Sequence, residues 1–124
     1  GKLTLAGMDE PIEWNRLRKA INAKMSSGDF KINEDKLMGP FFLSKKVIAS
    51  DENGEIIDRE KFIKAFKSKV IMYLYEDAVK QGKHRFFDGC PDTGKYSSVC
   101  DAFKTMGLAI FGPTFKESFY DKED

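Results

Sequence analysis

The sequence has 124 residues, of which 41% are hydrophobic, and its aromatic residues are 11 Phe, 4 Tyr and 1 Trp. This length and apolar content suffice for one hydrophobic core, so they argue against a disordered chain and favour a single domain over residues 1–124. The 21 basic and 20 acidic residues give a net charge of +1, without the basic excess typical of a nucleic-acid-binding module, so we expect no direct nucleic-acid binding.

The first predicted helix covers about residues 10–25. Asp9 is a suitable N-cap, and Pro11 fits a first helical turn, where its missing N–H is not needed. Apolar residues recur at helical spacing and predict one buried face: Trp14, Leu17, Ile21 and Met25. Four basic residues are expected mostly off this face: Arg16, Arg18, Lys19 and Lys24.

The middle of the chain predicts short elements. A helical turn within residues 34–38 should end at Gly39, because Pro40 disfavours helical geometry in the residue before it. Residues 47–49 are predicted to be extended. The Asn53-Gly54 pair is a turn signal between two apolar pairs, and this pattern is consistent with a short two-stranded hairpin.

The longest predicted helix covers residues 59–81. Asp58 is its predicted N-cap, and Gly82 is its predicted stop. At 1.5 Å per residue this helix should be roughly 35 Å long and form the spine of the domain. We predict that one core contains seven side chains: Trp14, Leu17, Ile21, Phe62, Phe66, Val70 and Leu74.

The C-terminal third begins with a predicted loop over residues 82–95. A last helix is predicted over 97–106, with Ser97 as its cap and Gly107 as its end. Residues 108–111 are expected to form an edge strand or a packed terminal segment, and the tail 112–124 is expected to fray. The predicted fold is therefore mainly α, with a core over about residues 9–111.

Signals for targeting are absent from the sequence. No apolar run approaches the ~20 residues that span a bilayer, and residues 1–7 lack the apolar stretch of a signal peptide. The two cysteines are too few for a secreted disulfide scaffold. We expect a cytoplasmic protein without a membrane partner, and a chain that begins with Gly rather than Met suggests a fragment of a longer protein.

The sequence lacks a complete catalytic or metal site. Residues 89–95 match the P-loop pattern as far as Lys95, but Tyr96 occupies the position where a Ser or Thr hydroxyl must bind Mg²⁺. Structural zinc sites use closely paired ligands, and the spacing of His84, Cys90 and Cys100 does not provide such a pair. We therefore expect no catalysis by this chain alone, and we expect Cys100 to be a small buried apolar residue.

Three segments in order resemble the C-terminal part of McrB-like AAA+ proteins, relatives of the GTPase subunit of methylcytosine-specific restriction systems. These segments are WNRLRKAIN at 14–22, EDKLMGPFFL at 34–43 and KVIMYLYEDAV at 69–79. The resemblance extends over about residues 12–111. It implies the small helical lid of an AAA+ module, which closes over ATP or GTP with Mg²⁺ held by a large domain upstream and contacts neighbouring subunits of a homo-oligomer.

The resemblance also implies a nucleotide-binding role for part of the second segment. Lids of this kind often place a basic residue near the γ-phosphate (sensor 2), and Lys36 is the candidate by position, with Gly39 and Pro40 shaping the turn. Several relatives have Gly-His-Ser where this chain has Gly39-Pro40-Phe41, so a polar contact made by that His or Ser is in doubt here. The simpler interpretation of Lys36 is a solvated surface lysine.

A second class of function remains open. The chain could be a free-standing helical module that docks a protein partner through an exposed aromatic surface. An isolated lid should expose a larger apolar surface than such a module, because the large domain or a neighbouring subunit normally covers it. A Walker A motif upstream in the full-length gene would decide for the lid.

Overall fold

The computed structural model describes residues 1–79, 81–115 and 117. Over these residues the chain is mainly helical, as predicted, with one short two-stranded antiparallel sheet. The seven side chains predicted to share a core are all buried in one hydrophobic cluster, which confirms that prediction. None of the helices in the described part of the chain is long and apolar enough to cross a membrane.

The N-terminal residues form the sheet. Strand β1 (Lys2–Leu3) pairs with β2 (Ile12–Glu13), so that Leu3 lies opposite Ile12, and both side chains are buried. The prediction that residues 12 and 13 belong to the first helix is therefore wrong. The start signal at Asp9 and Pro11 is local, and burial of Ile12 against β1 outweighs it. The core therefore begins before residue 9, where the sequence analysis predicted it to start.

Helix α1 (Trp14–Ser26) begins directly after β2 and buries the predicted apolar face. Its first N–H, that of Trp14, donates to the Gly1 carbonyl oxygen at 3.0 Å. The prediction that Arg18 lies off the buried face is wrong, because Arg18 is only 9% exposed. The Lys24 side chain is also mostly covered, at 19% exposure.

Residues 27–58 contain short elements: a 3-10 turn (Glu34–Lys36), helix α2 (Lys45–Ile48) and a hairpin turn. The prediction of an extended segment at 47–49 is wrong for residues 47 and 48, which are helical and pack against the core. The hairpin forms later, where Ser50 pairs with Ile56. The Asn-Gly signal was informative, since Gly54 adopts a φ of +83°, which favours glycine.

The long helix consists of α3 (Arg59–Ala65) and two π-helical segments, Phe66–Ile71 and Leu74–Ala78. The Asp58 carboxylate accepts from the Lys61 N–H at 3.0 Å, which confirms the predicted cap. Helical geometry ends at Ala78, before the predicted end at 81. Buried neighbours recur every four or five residues, which suits the wider π turn: Ala65-Phe66, Val70-Ile71, Leu74-Tyr75 and Ala78-Val79.

The C-terminal part contains α4 (Lys83–Phe86), α5 (Tyr96–Met106) and a 3-10 helix (Gly107–Phe111). Helix α4 lies within the segment predicted as a loop. Helix α5 confirms the predicted last helix, although it starts one residue earlier and Ser97 is not its cap. Gly107 has a φ of +59°, and a Cβ there would lie 2.2 Å from the Ala6 carbonyl oxygen, so this turn requires glycine.

Of the two structures predicted for residues 108–111, the packed segment is correct and the edge strand is not. Ile110 and Phe111 are fully or almost fully buried. The core continues to Phe115, whose ring centroid lies 4.9 Å from that of Phe111. The predicted fraying of the tail falls mostly on residues 116 and 118–124, which lie outside the described residues.

Candidate functional site

The three predicted site residues lie on one stretch of chain between α1 and α2, residues 33–43, called here the connecting segment. Lys36 ends the 3-10 turn, and its side chain is 44% exposed. Gly39 and Pro40 are exposed, as is Phe41 at 67%. A Cβ added to Gly39 would meet no atom within 4 Å, so the outer side of this turn is open.

Buried residues on either side of the exposed turn hold it in place. Met38 and Leu43 are 2% and 0% exposed. The Asn22 side-chain amide donates to the Met38 carbonyl oxygen and accepts from the Met38 N–H, both at 2.9 Å. Arg18 Nη1 donates to the same carbonyl oxygen at 2.9 Å. Both polar backbone groups of Met38 are thus satisfied by side chains of α1.

Two further contacts from α1 complete this support. The Trp14 indole N–H donates to the Pro40 carbonyl oxygen at 3.3 Å. The Arg18 guanidinium is itself oriented by the Asn15 side-chain oxygen, at 2.9 Å from Nε and 2.6 Å from Nη2. Sequence reasoning missed Arg18 and Asn22, because helical periodicity separates apolar from polar faces and carries no information about a backbone partner 16 to 20 residues away.

The long helix holds the connecting segment from the other side. The Tyr73 hydroxyl donates to the Lys36 carbonyl oxygen at 2.6 Å, and the Phe42 ring centroid lies 5.2 Å from that of Tyr73. The Lys36 ammonium lies 3.5 Å from an Asp77 carboxylate oxygen. The two side chains are 44% and 58% exposed, so this ion pair contributes only about 0–1 kcal/mol. The backbone of Lys36 is therefore fixed, and its side chain can exchange partners.

The electrostatic surroundings of Lys36 are acidic. Burial raises the pKa of the Tyr73 hydroxyl, and the nearby carboxylates of Asp77 and Asp35 raise it further. An anionic ligand beside Lys36 would meet repulsion from the same two carboxylates. Such a ligand would therefore need additional positive charge from outside this domain.

The near-match to a P-loop is a packed connector. Residues 89–95 follow α4 rather than a strand. A Cβ on Gly89 would lie 1.7 Å from the Ala109 carbonyl oxygen, so that glycine packs against backbone. The Asp92 carboxylate accepts from the Gly94 N–H at 2.9 Å, and it places negative charge where a phosphate would bind. The Tyr96 hydroxyl donates to the Lys67 carbonyl oxygen, so its hydrogen bond is made within the fold.

The cysteines show no sign of a reactive or metal-binding centre. Cys100 is buried, as predicted, and Cys90 is half-buried. Burial, and after it the charge of Asp88, raise the pKa of the Cys90 thiol to about 11. Within the described part of the chain, no three His, Cys, Asp or Glu residues are arranged to hold a metal ion.

Comparison with known proteins gives one informative relationship. The chain is 33% identical over 78 residues to the type II restriction enzyme BsuMI component YdiS of Bacillus subtilis (strain 168). The matched stretch is 63% of this chain and 18% of that protein. No family model matches the chain, and no solved structure matches it. The chain is thus related in sequence to part of a much longer restriction-system component.

Proposed function

We propose that this chain is the helical lid of a McrB-like AAA+ NTPase that works in a restriction system. The observation that carries the proposal is the connecting segment, which bears Lys36 at the end of its 3-10 turn and Gly39 and Pro40 on its exposed turn, and which is fixed between α1 and the long helix. The mainly helical fold is compatible with a helical lid, and the relationship to a restriction-system component supports the restriction-system part of the proposal.

The proposed role of Lys36 follows from two of its contacts, one at the backbone and one at the side chain. Tyr73 fixes the Lys36 backbone, and the weak ion pair with Asp77 leaves the ammonium able to move to a stronger anion. In a closed lid that anion is the terminal phosphate of ATP or GTP. An ammonium placed there stabilises the charge that develops on the phosphate oxygens as the bond breaks. Mg²⁺ and the phosphate cradle come from the large domain.

The test is hydrolysis by the full-length parent enzyme. Lys36→Ala should lower the rate about tenfold, which corresponds to roughly 1.4 kcal/mol of transition-state stabilisation. Lys46→Ala is the matched control, because Lys46 is an exposed lysine on α2. Thermal unfolding of both variants checks that the fold is intact. An unchanged rate would remove Lys36 from the site, and a parent gene without a Walker motif would reject the lid assignment.

A free-standing interaction module is the second candidate, and Phe41 favours it. This side chain is 67% exposed at the tip of a rigid turn, and the Lys45 ammonium lies 5.6 Å from its ring centroid. Exposed, preorganised aromatic residues are common anchors of protein interfaces. If no Walker A motif precedes this chain in its gene, Phe41→Ser should weaken partner binding, whereas Ile57→Ser, at the same 67% exposure, should not.

A further inference from the structure

The turn of the hairpin between Ser50 and Ile56 carries a chemically distinctive pair, Asn53-Gly54. Asparagine occurs at positions 15, 22, 33 and 53 of the sequence, and only Asn53 is followed by glycine. The Asn53 side chain is exposed. Glycine has no Cβ, so no side chain hinders the approach of the Gly54 nitrogen to the Asn53 side-chain amide. The pair thus combines an accessible amide with a sterically open backbone nitrogen.

Asp51 holds this turn closed with three hydrogen bonds. Its backbone carbonyl oxygen accepts from the Gly54 N–H at 2.9 Å. Its carboxylate oxygen accepts from the Asn53 N–H at 2.8 Å and from the Glu55 N–H at 3.0 Å. Asp side chains stabilise tight turns by bonding to the backbone two residues on. In the closed turn the Gly54 proton is bonded to a carbonyl oxygen, so the nitrogen reacts only when the turn opens locally.

We propose that Asn53 converts spontaneously to isoaspartate and aspartate, at a rate that Asp51 sets by keeping the turn closed. In the opened turn the Gly54 nitrogen loses its proton to water and forms a bond to the side-chain carbonyl carbon of Asn53. The bond from that carbon to the side-chain nitrogen breaks, and ammonia leaves. Water then opens the resulting cyclic imide at either carbonyl, so the steps together exchange water for ammonia and need no oxidant. This modification site does not depend on the lid assignment.

Isoaspartate changes the hairpin, because its Cβ becomes part of the backbone and lengthens the link between residues 53 and 54. Two hydrogen bonds cross the hairpin beside the turn. The Asp51 N–H donates to the Glu55 carbonyl oxygen at 2.8 Å, and the Ile57 N–H donates to the Ala49 carbonyl oxygen at 3.0 Å. The turn fixes the register of a hairpin, so a longer turn weakens both bonds. Aspartate, the other product, leaves the length of the backbone unchanged.

The experiment incubates the full chain at mildly alkaline pH and follows each asparagine by peptide mapping and mass spectrometry. Asn53 should lose its amide well before the other three asparagines, and faster in the urea-unfolded chain than in the folded chain. Asp51→Ala should raise the rate in the folded chain about tenfold, because two N–H groups lose a charged acceptor. Asp51→Asn should keep a slow rate, since its amide oxygen can accept the same two N–H groups. Glu52→Ala, which removes the exposed carboxylate next to Asn53, is the matched control and should change the rate little.

The isoaspartate form, separated by chromatography, tests the effect on the hairpin. Its Asp51 and Ile57 amides should exchange with deuterium faster than those of the unmodified chain. Asn53→Asp is the control, because it adds the charge of the product without the extra backbone atom, and it should leave this exchange slow. Equal exchange in the isoaspartate form and in Asn53→Asp would contradict the proposed change of register.

Three results would overturn the proposed modification site. The first is a rate at Asn53 that is the same in the folded and the urea-unfolded chain, because the turn would then give no control. The second is loss of the Asn33 amide as fast as that of Asn53, since Asn33 is also exposed but is followed by Glu34. The third is an unchanged rate in Asp51→Ala, once circular dichroism shows that this variant is folded.

Discussion

At the scale of single residues, Lys24 joins three parts of the chain. Its ammonium donates to the carbonyl oxygens of Phe86 and Phe111 and to the Asp88 carboxylate, and it lies 5.1 Å from the centroid of the Phe86 ring. The two carbonyls end α4 and the 3-10 helix, where the last carbonyl oxygens of a helix have no partner within it. One cation on α1 thus provides hydrogen-bond donors for the last carbonyl oxygens of two short helices.

Lys24→Met should destabilise the fold, because it keeps the aliphatic stem and removes the donors from three acceptors. The mostly covered ammonium makes charge-assisted hydrogen bonds, so we expect a loss of about 2 kcal/mol in the free energy of unfolding. Urea denaturation measures this. Lys19→Met, an exposed change on the same helix, should cost less than about 0.5 kcal/mol. Equal effects of the two variants would contradict the role of Lys24.

The Cys90 thiol should react slowly with iodoacetamide near neutral pH. Only the thiolate reacts, and burial with the charge of Asp88 raises the pKa of this thiol from 9.0 to about 11. Its alkylation rate should therefore rise about tenfold per pH unit up to about pH 10, without levelling near pH 9. Mass spectrometry of the Cys100→Ala variant isolates Cys90. A plateau of the alkylation rate near pH 9 would show that the pKa of the Cys90 thiol is not raised.

At the scale of elements, the long helix shows what a sequence pattern can and cannot reveal. Its existence, its N-cap and its buried face were predictable, because Asp58 and the apolar stripe are local signals. The π-helical segments were not predicted, although the recurrence of buried neighbours at 65–66, 70–71 and 74–75 carries that signal. Helix α4 and the β1–β2 pairing could not be predicted, since short elements depend on tertiary contacts that local propensity does not encode.

Phe66 is the central test of the long helix. Its ring stacks between those of Phe62, at 5.9 Å, and Phe103 of α5, at 4.9 Å. Phe66→Ala should therefore leave a cavity between two helices and cost about 3–5 kcal/mol in chemical denaturation. Met72→Ala is the control on the same helix, because Met72 is 36% exposed, and it should cost about 1 kcal/mol or less. A cost below about 1 kcal/mol for Phe66→Ala would mean that this face is not in the core.

At the scale of the whole molecule, the candidate site was only partly predictable. The resemblance pointed to Lys36, Gly39 and Pro40, and these residues do lie on one connecting segment, Lys36 at the end of its 3-10 turn and Gly39 and Pro40 on the exposed turn that follows. The side chains that fix this turn, chiefly Arg18 and Asn22, were not predicted, because a polar residue on a helix gives no sign of whether it meets solvent or a distant carbonyl. Their contacts join α1 to the connecting segment and make the turn a feature of the fold rather than of local sequence.

The isolated chain should hydrolyse neither ATP nor GTP and should bind both weakly at best. A phosphate cradle needs a free run of backbone N–H groups and a hydroxyl for Mg²⁺, whereas the Gly94 N–H is already bonded to Asp92 and Tyr96 occupies the hydroxyl position. Phosphate release by the purified chain, with Lys95→Ala as the control, measures this. Hydrolysis that is lost in Lys95→Ala would contradict the prediction and identify residues 89–95 as a nucleotide-binding site. Absence of turnover in the isolated chain agrees with this prediction and leaves the lid proposal to the Lys36→Ala test.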